Sequence, residues 1–171
     1  QGQPYHGAAD SLPLEAGDVL LIQGYRVDLD GLKDNAAFRL SELQETRREW
    51  LNKHLMTLNI PEESSLVGKS LAESHLSGAF GLGVLGIVRE DETYLMPTAE
   101  VRLQANDRIY VRGESGNLLA LDDLQDIRVA ADGELDLTLL ESDQVGVVEA
   151  MLSPHTRLEG KTLNQLHFRE K

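Results

Sequence analysis

The chain has no cysteine among its 171 residues, which excludes disulfide bonds and thiolate metal sites. An absence of cysteine fits a reducing cytoplasm. No uninterrupted apolar run approaches the roughly 20 residues that a helix needs to cross a bilayer. Residues 1–6 also lack the apolar segment of a signal peptide. From these absences we expect a soluble segment.

Basic and aromatic side chains are also scarce. There are 16 Lys and Arg against 29 Asp and Glu, so the formal net charge is −13, and aromatic residues make up 5%. A nucleic-acid backbone or an anionic membrane surface would repel such a chain. Base stacking needs aromatic platforms that are few here. Nucleic acid is therefore not an expected partner.

What the chain does contain is an internal repeat. Leu14–Gly24 matches Leu103–Gly113 at a constant offset of 89 residues, and Leu158–Leu163 matches Leu66–Leu71 at an offset of 92. One whole module is thus flanked by two half modules. The predicted domains are the second half of a module at 1–34, a helical linker at 35–57, a complete module at 58–127, an acidic linker at 128–144, and the first half of a module at 145–171.

The complete module follows the order β, α, β-hairpin, β, α, which predicts a small α+β unit with a mainly antiparallel sheet. The predicted elements are strands at 56–60, 82–89, 93–96 and 108–112 and short helices at 71–76 and 117–124. Outside the module we predict strands at 19–22, 135–140 and 145–152 and helices at 27–32 and from 164 onward.

An amphipathic helix is predicted over residues 36–55, because its apolar residues follow helical spacing. Packing against a neighbouring module is the favoured interpretation. A membrane-surface helix is the alternative, since basic residues cluster near Trp50, although interspersed glutamates dilute that basic face.

Two glycine motifs invite a nucleotide-binding interpretation. Gly81-Leu-Gly83-Val-Leu-Gly86 fits G-x-G-x-x-G, but its glycines lie within a predicted strand rather than at a helix N-terminus, which favours a bulge or a close backbone approach. Gly68-Lys-Ser70 resembles the end of a P-loop, yet Glu63 stands where that loop needs its first glycine. A turn before a short helix capped by Ser70 is the better interpretation.

No catalytic or metal-binding set can be assembled from the sequence. The five histidines show no metal-ligand spacing. His75 and His167 are equivalent by the repeat, so we predict a shared structural place at the end of the first helix. No nucleophile elbow is present. We therefore expect a protein that is not an enzyme and has no metal site.

At the repeated elements the chain resembles the TrkA-C family, also called the RCK C-terminal domain. The matching residues are Leu66-Val-Gly68-Lys-Ser-Leu71, Phe80-Gly-Leu-Gly-Val-Leu-Gly-Ile-Val-Arg89, Met96-Pro97 and Leu103-Gln-Ala-Asn-Asp107-Arg-Ile-Tyr-Val-Arg-Gly113. Tandem copies joined by linkers resemble the cytoplasmic loop of divalent anion:sodium symporters. The resemblance implies a ligand-sensing, cytosolic, dimeric regulatory module of a membrane ion or anion transporter, at the cytoplasmic face of the membrane. A stand-alone nucleotide- or ion-sensing subunit that docks on a separate potassium channel or transporter is the alternative.

The resemblance also implies a ligand, since some family members bind cyclic di-AMP across their dimer. Carried over by position, the contacts fall on Gly83, Val84 and Pro97, while the position of an arginine in the first helix holds Ser77 in the complete module and Arg169 in the C-terminal half module. The complete module thus departs from the nucleotide pattern at its most charged contact.

The half modules at the two ends lack about the same middle piece. An isolated half would leave an unpaired strand edge. One hypothesis is that the two halves complement each other, within the chain or between two chains. If so, residues 19–22 and 145–151 belong to one sheet.

Overall fold

The computed structural model describes residues 12–52, 54–76, 82–90, 92–113, 126–130 and 137–166. Two compact units make up the chain: residues 1–44 with 141–171, called here the composite unit, and residues 45–140, called the central unit. The described elements are β1 Val19–Tyr25, α1 Arg26–Lys33, β2 Phe38–Glu42, α2 Glu45–Asn52, β3 Leu55–Asn59, α3 Leu71–Ser74, β4 Gly83–Arg89, β5 Glu92–Leu95, β6 Arg108–Arg112, β7 Arg128–Val129, a 3-10 helix Leu137–Leu140, and β8 Val145–Leu152.

The central unit is built on a five-stranded sheet of order β5-β4-β6-β3-β7, in which every pairing is antiparallel. Its apolar residues gather in one core, formed by Leu58, Ile60, Leu66, Leu76, Leu82, Ile87, Leu103, Ile109, Val111 and Ile127. Burial of this apolar surface is the main stabilising term of the unit. The predicted α+β class with antiparallel sheets and short helices is confirmed.

The composite unit has a three-stranded sheet of order β1-β8-β2, also antiparallel. Its central strand β8 pairs with β1 along the whole register from Val19 opposite Met151 to Tyr25 opposite Val145. The N-terminal and C-terminal parts of one chain therefore share a sheet, as the complementation hypothesis requires. Leu14, Phe38, Ala150 and Leu152 form the buried core beneath it.

The two units repeat the same backbone contacts at the positions matched by sequence. In the central unit Gly68 donates its N–H to the carbonyl of Leu103 at 2.8 Å. In the composite unit Gly160 donates to the carbonyl of Leu14, also at 2.8 Å. The facing residues across three strands correspond as well: they are Ile109, Leu58 and Val129 in one sheet and Leu20, Ala150 and Leu40 in the other.

The helix predicted over residues 36–55 is wrong in its first half. Residues Phe38–Glu42 form β2, which pairs with β8, and only Glu45–Asn52 are helical. The burial of β2 alternates, with Phe38 buried and Arg39 exposed, as a strand at a sheet edge requires. The apolar spacing of these residues fits a helix. They form a strand instead because their backbone groups pair with β8, which lies more than 100 residues away in the sequence.

The second half of the predicted helix is α2, which packs against other residues of the chain. Leu51 is buried, α2 contacts the 3-10 helix, and the Trp50 ring stacks on His54 with centroids 4.1 Å apart. These contacts favour the packing interpretation over the membrane-surface one. Within the described ranges, no helix is long and apolar enough to cross a bilayer.

Two other expectations concern the predicted acidic linker, residues 128–144. The strand predicted at 135–140 is wrong, because Leu137–Leu140 forms a 3-10 helix. A strand occurs instead at Arg128–Val129, which pairs with β3 inside the predicted acidic linker. The predicted helix at 117–124 lies outside the described residues, as does most of the one predicted from 164 onward.

We predict that a disulfide engineered between β1 and β8 will form within one chain. Val19 faces Met151, next to a pair in which Leu152 donates its N–H to the carbonyl of Asp18, so the two Cβ atoms lie across a non-hydrogen-bonded pair. Mild oxidation of the Val19→Cys/Met151→Cys variant should give a monomer that migrates faster in a non-reducing gel.

The matched control is Val19→Cys/Val147→Cys, because Val147 faces Gln23 four residues further along the strand. Cross-linking of both variants at equal rates, or covalent dimers from the first variant, would contradict the pairing within one chain.

Candidate functional site: the hairpin of β4 and β5

The described site residues predicted from the resemblance lie at one end of the β4–β5 hairpin. Gly83 and Val84 begin β4, and Pro97 follows the end of β5. Met96 donates its N–H to the carbonyl of Leu85 at 3.1 Å, which holds the chain at Pro97 beside the start of β4. All three predicted residues are half-buried. Ser77 and Arg169 lie outside the described residues, and their role stays a prediction.

A bulge shapes this end of the hairpin. The register between β4 and β6 shifts between Val84 and Gly86, which leaves Leu85 as an extra residue on β4. At Gly86 a Cβ would lie 3.3 Å from the Leu95 side chain, so glycine permits the close approach of β5. The described glycines of the G-x-G-x-x-G motif therefore lie in a bulged strand, as predicted from their apolar neighbours.

The far end of β4 carries a buried ion pair that sequence analysis did not single out. The Arg89 guanidinium donates from Nε and Nη2 to the two carboxylate oxygens of Asp107, each at 2.9 Å. Nη2 also donates to the carbonyl of Arg102, and Gln104 donates its N–H to Asp107 at 2.8 Å. The Asp107 side chain is fully buried and that of Arg89 is 22% exposed. This fork geometry is the strongest arrangement for a charged pair.

The guanidinium of Arg89 lies over the ring of Tyr94, 5.5 Å from its centroid. The hydrogen bonds to Asp107 raise the pKa of Arg89 above its ordinary value, so the charge is permanent. Tyr94 donates its hydroxyl to Glu92 at 2.6 Å, and this bond raises the pKa of the phenol. The positive charge of Arg89 thus holds the β4–β5 hairpin against Asp107, the residue that precedes β6.

The Gly68-Lys69-Ser70 turn is a helix start and not a phosphate loop. Gly68 has a φ of 85°, which glycine adopts without strain. Ser70 and Glu73 form a capping box at α3: each donates its backbone N–H to the other's side chain. The same pair of bonds recurs between Thr162 and Gln165. The predicted turn and serine cap are confirmed.

A shallow cavity of about 430 Å³ lies beside α3 and is lined by Lys69, Ala72, Glu73 and His75. His75 ends α3 with a left-handed φ of 55°, which is the structural place predicted for it. The lining has one basic side chain, Lys69, and one acidic side chain, Glu73, and none of its four residues is a nucleophile paired with a base. Among the residues that the structure describes, no group of three or more His, Cys, Asp or Glu could hold a metal ion.

Comparison with known families matches residues 55–126 to the TrkA-C domain. This part of the chain is therefore similar to the TrkA-C family. The match spans β3 to the segment before β7 and so includes the hairpin, the Arg89–Asp107 pair and the capped turn.

Similar proteins carry transporter names. The chain is 30% identical over 127 residues to "Uncharacterized transporter sll0640" of Synechocystis sp., which covers 71% of this chain and 21% of that protein. It is 23% identical over 167 residues to "Sodium/sulfate cotransporter 1" of Chlamydomonas reinhardtii, covering 95% of this chain and 19% of that protein. The chain thus spans about a fifth of the length of these relatives.

Among solved structures, the comparison finds the RCK C domain of the potassium transport protein KtrA in complex with cyclic di-AMP. The similarity has a TM-score of 0.33 at 15% identity and covers 57% of this chain and 93% of that chain.

Sequence reasoning missed the Arg89–Asp107 pair for a simple reason. Both residues appear in the TrkA-C motif, but 18 residues separate them, and only the pairing of β4 with β6 brings them together. One signal was available: aspartate recurs at position 18, the repeat equivalent of Asp107.

We predict that Asp107→Asn destabilises the central unit by about 3 kcal/mol, because it leaves the Arg89 charge without its buried partner. Urea unfolding followed by the fluorescence of Trp50, the chain's single tryptophan, measures this unit. The control is Glu63→Gln, which removes an ion pair to Arg128 whose side chains are about two-thirds exposed, and should cost less than about 1 kcal/mol. Equal losses in both variants would contradict the prediction.

We also predict an acid-sensitive contribution from Asp126. Its carboxylate accepts the backbone N–H of Ser65 at 2.6 Å and the Ser65 hydroxyl at 3.0 Å, and the backbone bond in particular lowers the pKa of Asp126. A lowered folded-state pKa adds stability above the unfolded value of 3.8 and loses it as the pH falls below that value. Asp126→Asn should therefore flatten the decline of the Trp50-monitored stability between about pH 5 and pH 2.

The control for this prediction is Glu159→Gln, which alters an exposed carboxylate of the composite unit. An unchanged pH profile in Asp126→Asn would show that the Ser65 bonds do not carry the effect.

Proposed function

We propose that this chain is the cytosolic, ligand-sensing regulatory part of a membrane ion or anion transporter. The observation that carries the proposal is the match of residues 55–126 to the TrkA-C domain, within a chain similar to proteins named as transporters. The resemblance to the loop of divalent anion:sodium symporters makes the membrane domain of the same protein the expected partner, at the cytoplasmic face.

The proposed role is regulation without catalysis. Three of the buried polar side chains that the structure describes have structural roles: Asp107 holds Arg89, Ser70 caps α3, and Ser74 donates its hydroxyl to the carbonyl of Leu71 at 2.7 Å. The described residues offer no activated nucleophile or acid–base pair, and the proposed role is to bind a ligand and change domain packing.

Two copies of the module in one chain are part of this proposal. The composite unit repeats the strand register, the turn contacts and the capping bonds of the central unit at the matched positions. These contacts support the assignment of 1–34 and 145–171 as the two halves of a second TrkA-C-like module.

The ligand is proposed to bind where the start of β4 meets Pro97. Gly83 leaves room there, because among the described residues a Cβ on it would meet only the carbonyl of Arg112 at 3.8 Å. Cyclic di-AMP or another nucleotide, bound across a homodimer, is the ligand class that the family resemblance suggests. Ligand binding would act by population shift: the packing that binds it better becomes dominant and biases the attached transporter.

A thermal-shift screen tests the ligand proposal, using cyclic di-AMP, ATP, ADP, NADH and divalent cations. A true ligand should raise the Tm of the protein by a few degrees at saturating concentration. Gly83→Val should keep the fold, since a β-branched residue suits a strand and the position has space, yet weaken binding by at least about tenfold.

Gly31→Ala is the matched control, because it adds a methyl group in open space on α1. Equal Tm shifts in wild type, Gly83→Val and Gly31→Ala would place the ligand elsewhere, and no shift with any compound would contradict ligand sensing.

An immunoblot of native cell fractions distinguishes the proposed transporter part from the alternative of a stand-alone subunit. An antibody against this chain should detect a much larger protein that stays in the membrane pellet after an alkaline wash. A small protein released by that wash would favour the subunit that docks on a separate channel.

A further inference from the structure

Arg112 lies directly opposite Gly83 in the antiparallel ladder that joins β6 to β4. Residues that face each other in such a ladder point to the same face of the sheet, with their Cβ positions about 5 Å apart. In the next pair, Val84 faces Val111; Val111 belongs to the central core and Val84 packs against it. Successive residues of a strand alternate between the faces, so the Arg112 side chain leaves the sheet on the face opposite that core.

The cross-strand neighbours of Arg112 on this face are not charged. On the β4 side the neighbour is Gly83, which has no side chain, and on the β3 side it is Leu55, which is buried. Tyr110, two residues earlier on β6 and on the same face, is also buried. Arg112 itself is half-buried. A charge in such surroundings attracts an opposite charge more strongly than it does in water.

The position of Arg112 relates it to the proposed ligand site. The chain at Pro97 lies beside β4 on the β5 side, and Arg112 lies beside β4 on the β6 side. Neighbouring strands are about 4.8 Å apart, so a group seated over Gly83 lies one strand away from Arg112. The chain has a formal net charge of −13, and its overall field repels anions. An anionic ligand therefore needs a local positive charge at its site.

We propose that Arg112 binds a phosphate group of a nucleotide seated over Gly83. A guanidinium donates two parallel hydrogen bonds to phosphate oxygens, which adds geometric selection to the attraction of charge. This inference rests on the proposed ligand site. It adds the residue that selects an anionic ligand over a neutral one of the same shape.

Arg108 provides a matched control on the same strand. It lies four residues before Arg112, so alternation places both side chains on one face of the sheet. Arg108 faces Val88 on β4 and Asn59 on β3 instead of a glycine, and it is exposed. Replacing either arginine by glutamine removes one positive charge, so the net charge of the chain changes equally in the two variants.

The test measures binding of cyclic di-AMP and of adenosine to the full chain by isothermal titration calorimetry. Arg112→Gln should weaken cyclic di-AMP binding at least about tenfold, because the paired bonds to phosphate are lost. Arg112→Lys should weaken it less, since the ammonium group keeps the charge without the fork. Arg108→Gln should leave the affinity unchanged. Adenosine has no phosphate, so its binding should be the same in the wild type and in Arg112→Gln.

Two further measurements use the wild-type chain and so do not depend on the folding of a variant. In an NMR titration, the Nε–H signal of Arg112, identified by its absence in Arg112→Lys, should shift with cyclic di-AMP and stay in place with adenosine. Added NaCl should weaken cyclic di-AMP binding, because salt screens the attraction between the guanidinium and the phosphate. The same salt should have a smaller effect on Arg112→Gln.

The outcomes separate this inference from the proposed function. Loss of cyclic di-AMP binding in Gly83→Val with unchanged binding in Arg112→Gln would support the proposed site and overturn the role of Arg112. Equal losses in Arg112→Gln and Arg108→Gln would show an effect of net charge and overturn it as well. Inorganic phosphate bound as tightly as cyclic di-AMP would overturn the nucleotide as the source of the phosphate. A wild-type chain that binds none of cyclic di-AMP, ATP and ADP would overturn both the nucleotide site and this inference.

Discussion

The central unit depends on one buried ion pair. Arg89, at the end of β4, donates hydrogen bonds to the fully buried Asp107, just before β6, and to the carbonyl of Arg102. A carboxylate without its partner would face the desolvation cost of an uncompensated charge. The pair therefore fixes β4 beside β6, and the hairpin end with Gly83 and Pro97 is positioned by the same strand.

The proposed binding function relies on this rigidity. A regulatory site has to hold its ligand contacts in one geometry so that binding favours one packing over another. Three backbone features fix the geometry of the proposed ligand contacts. They are the bulge at Leu85, the close approach of β5 to Gly86, and the hydrogen bond from the N–H of Met96 to the carbonyl of Leu85. Few side-chain groups are needed, which suits a sensor that is proposed to act without catalysis.

Much of the fold followed from local patterns. The apolar runs of β1, β4 and β8 and the alternating β6 were predicted within a few residues, because a buried strand shows its period over five to eight positions. The turn and cap at Gly68–Ser70 were also predicted, since glycine and serine act on their immediate neighbours. The strand at residues 38–42 was not predicted, because the spacing of its apolar residues fits a helix and only the pairing with β8 makes it a strand. Of the candidate ligand residues, Gly83, Val84 and Pro97 lie together, while Ser77 and Arg169 stay predictions.

The sequence by itself determined the repeat, its offsets of 89 and 92 residues, and the type of most elements, since these depend on residue identity and short-range spacing. The tertiary structure decided that β1 pairs with β8 within one chain, which the sequence had left as one hypothesis, and it alone decided that β2 is a strand and that Asp107 is buried against Arg89 while Asp18 is exposed. Such features arise from backbone hydrogen bonds and charges that meet only after distant segments come together, and no local pattern encodes which distant partner a strand or a charge will find.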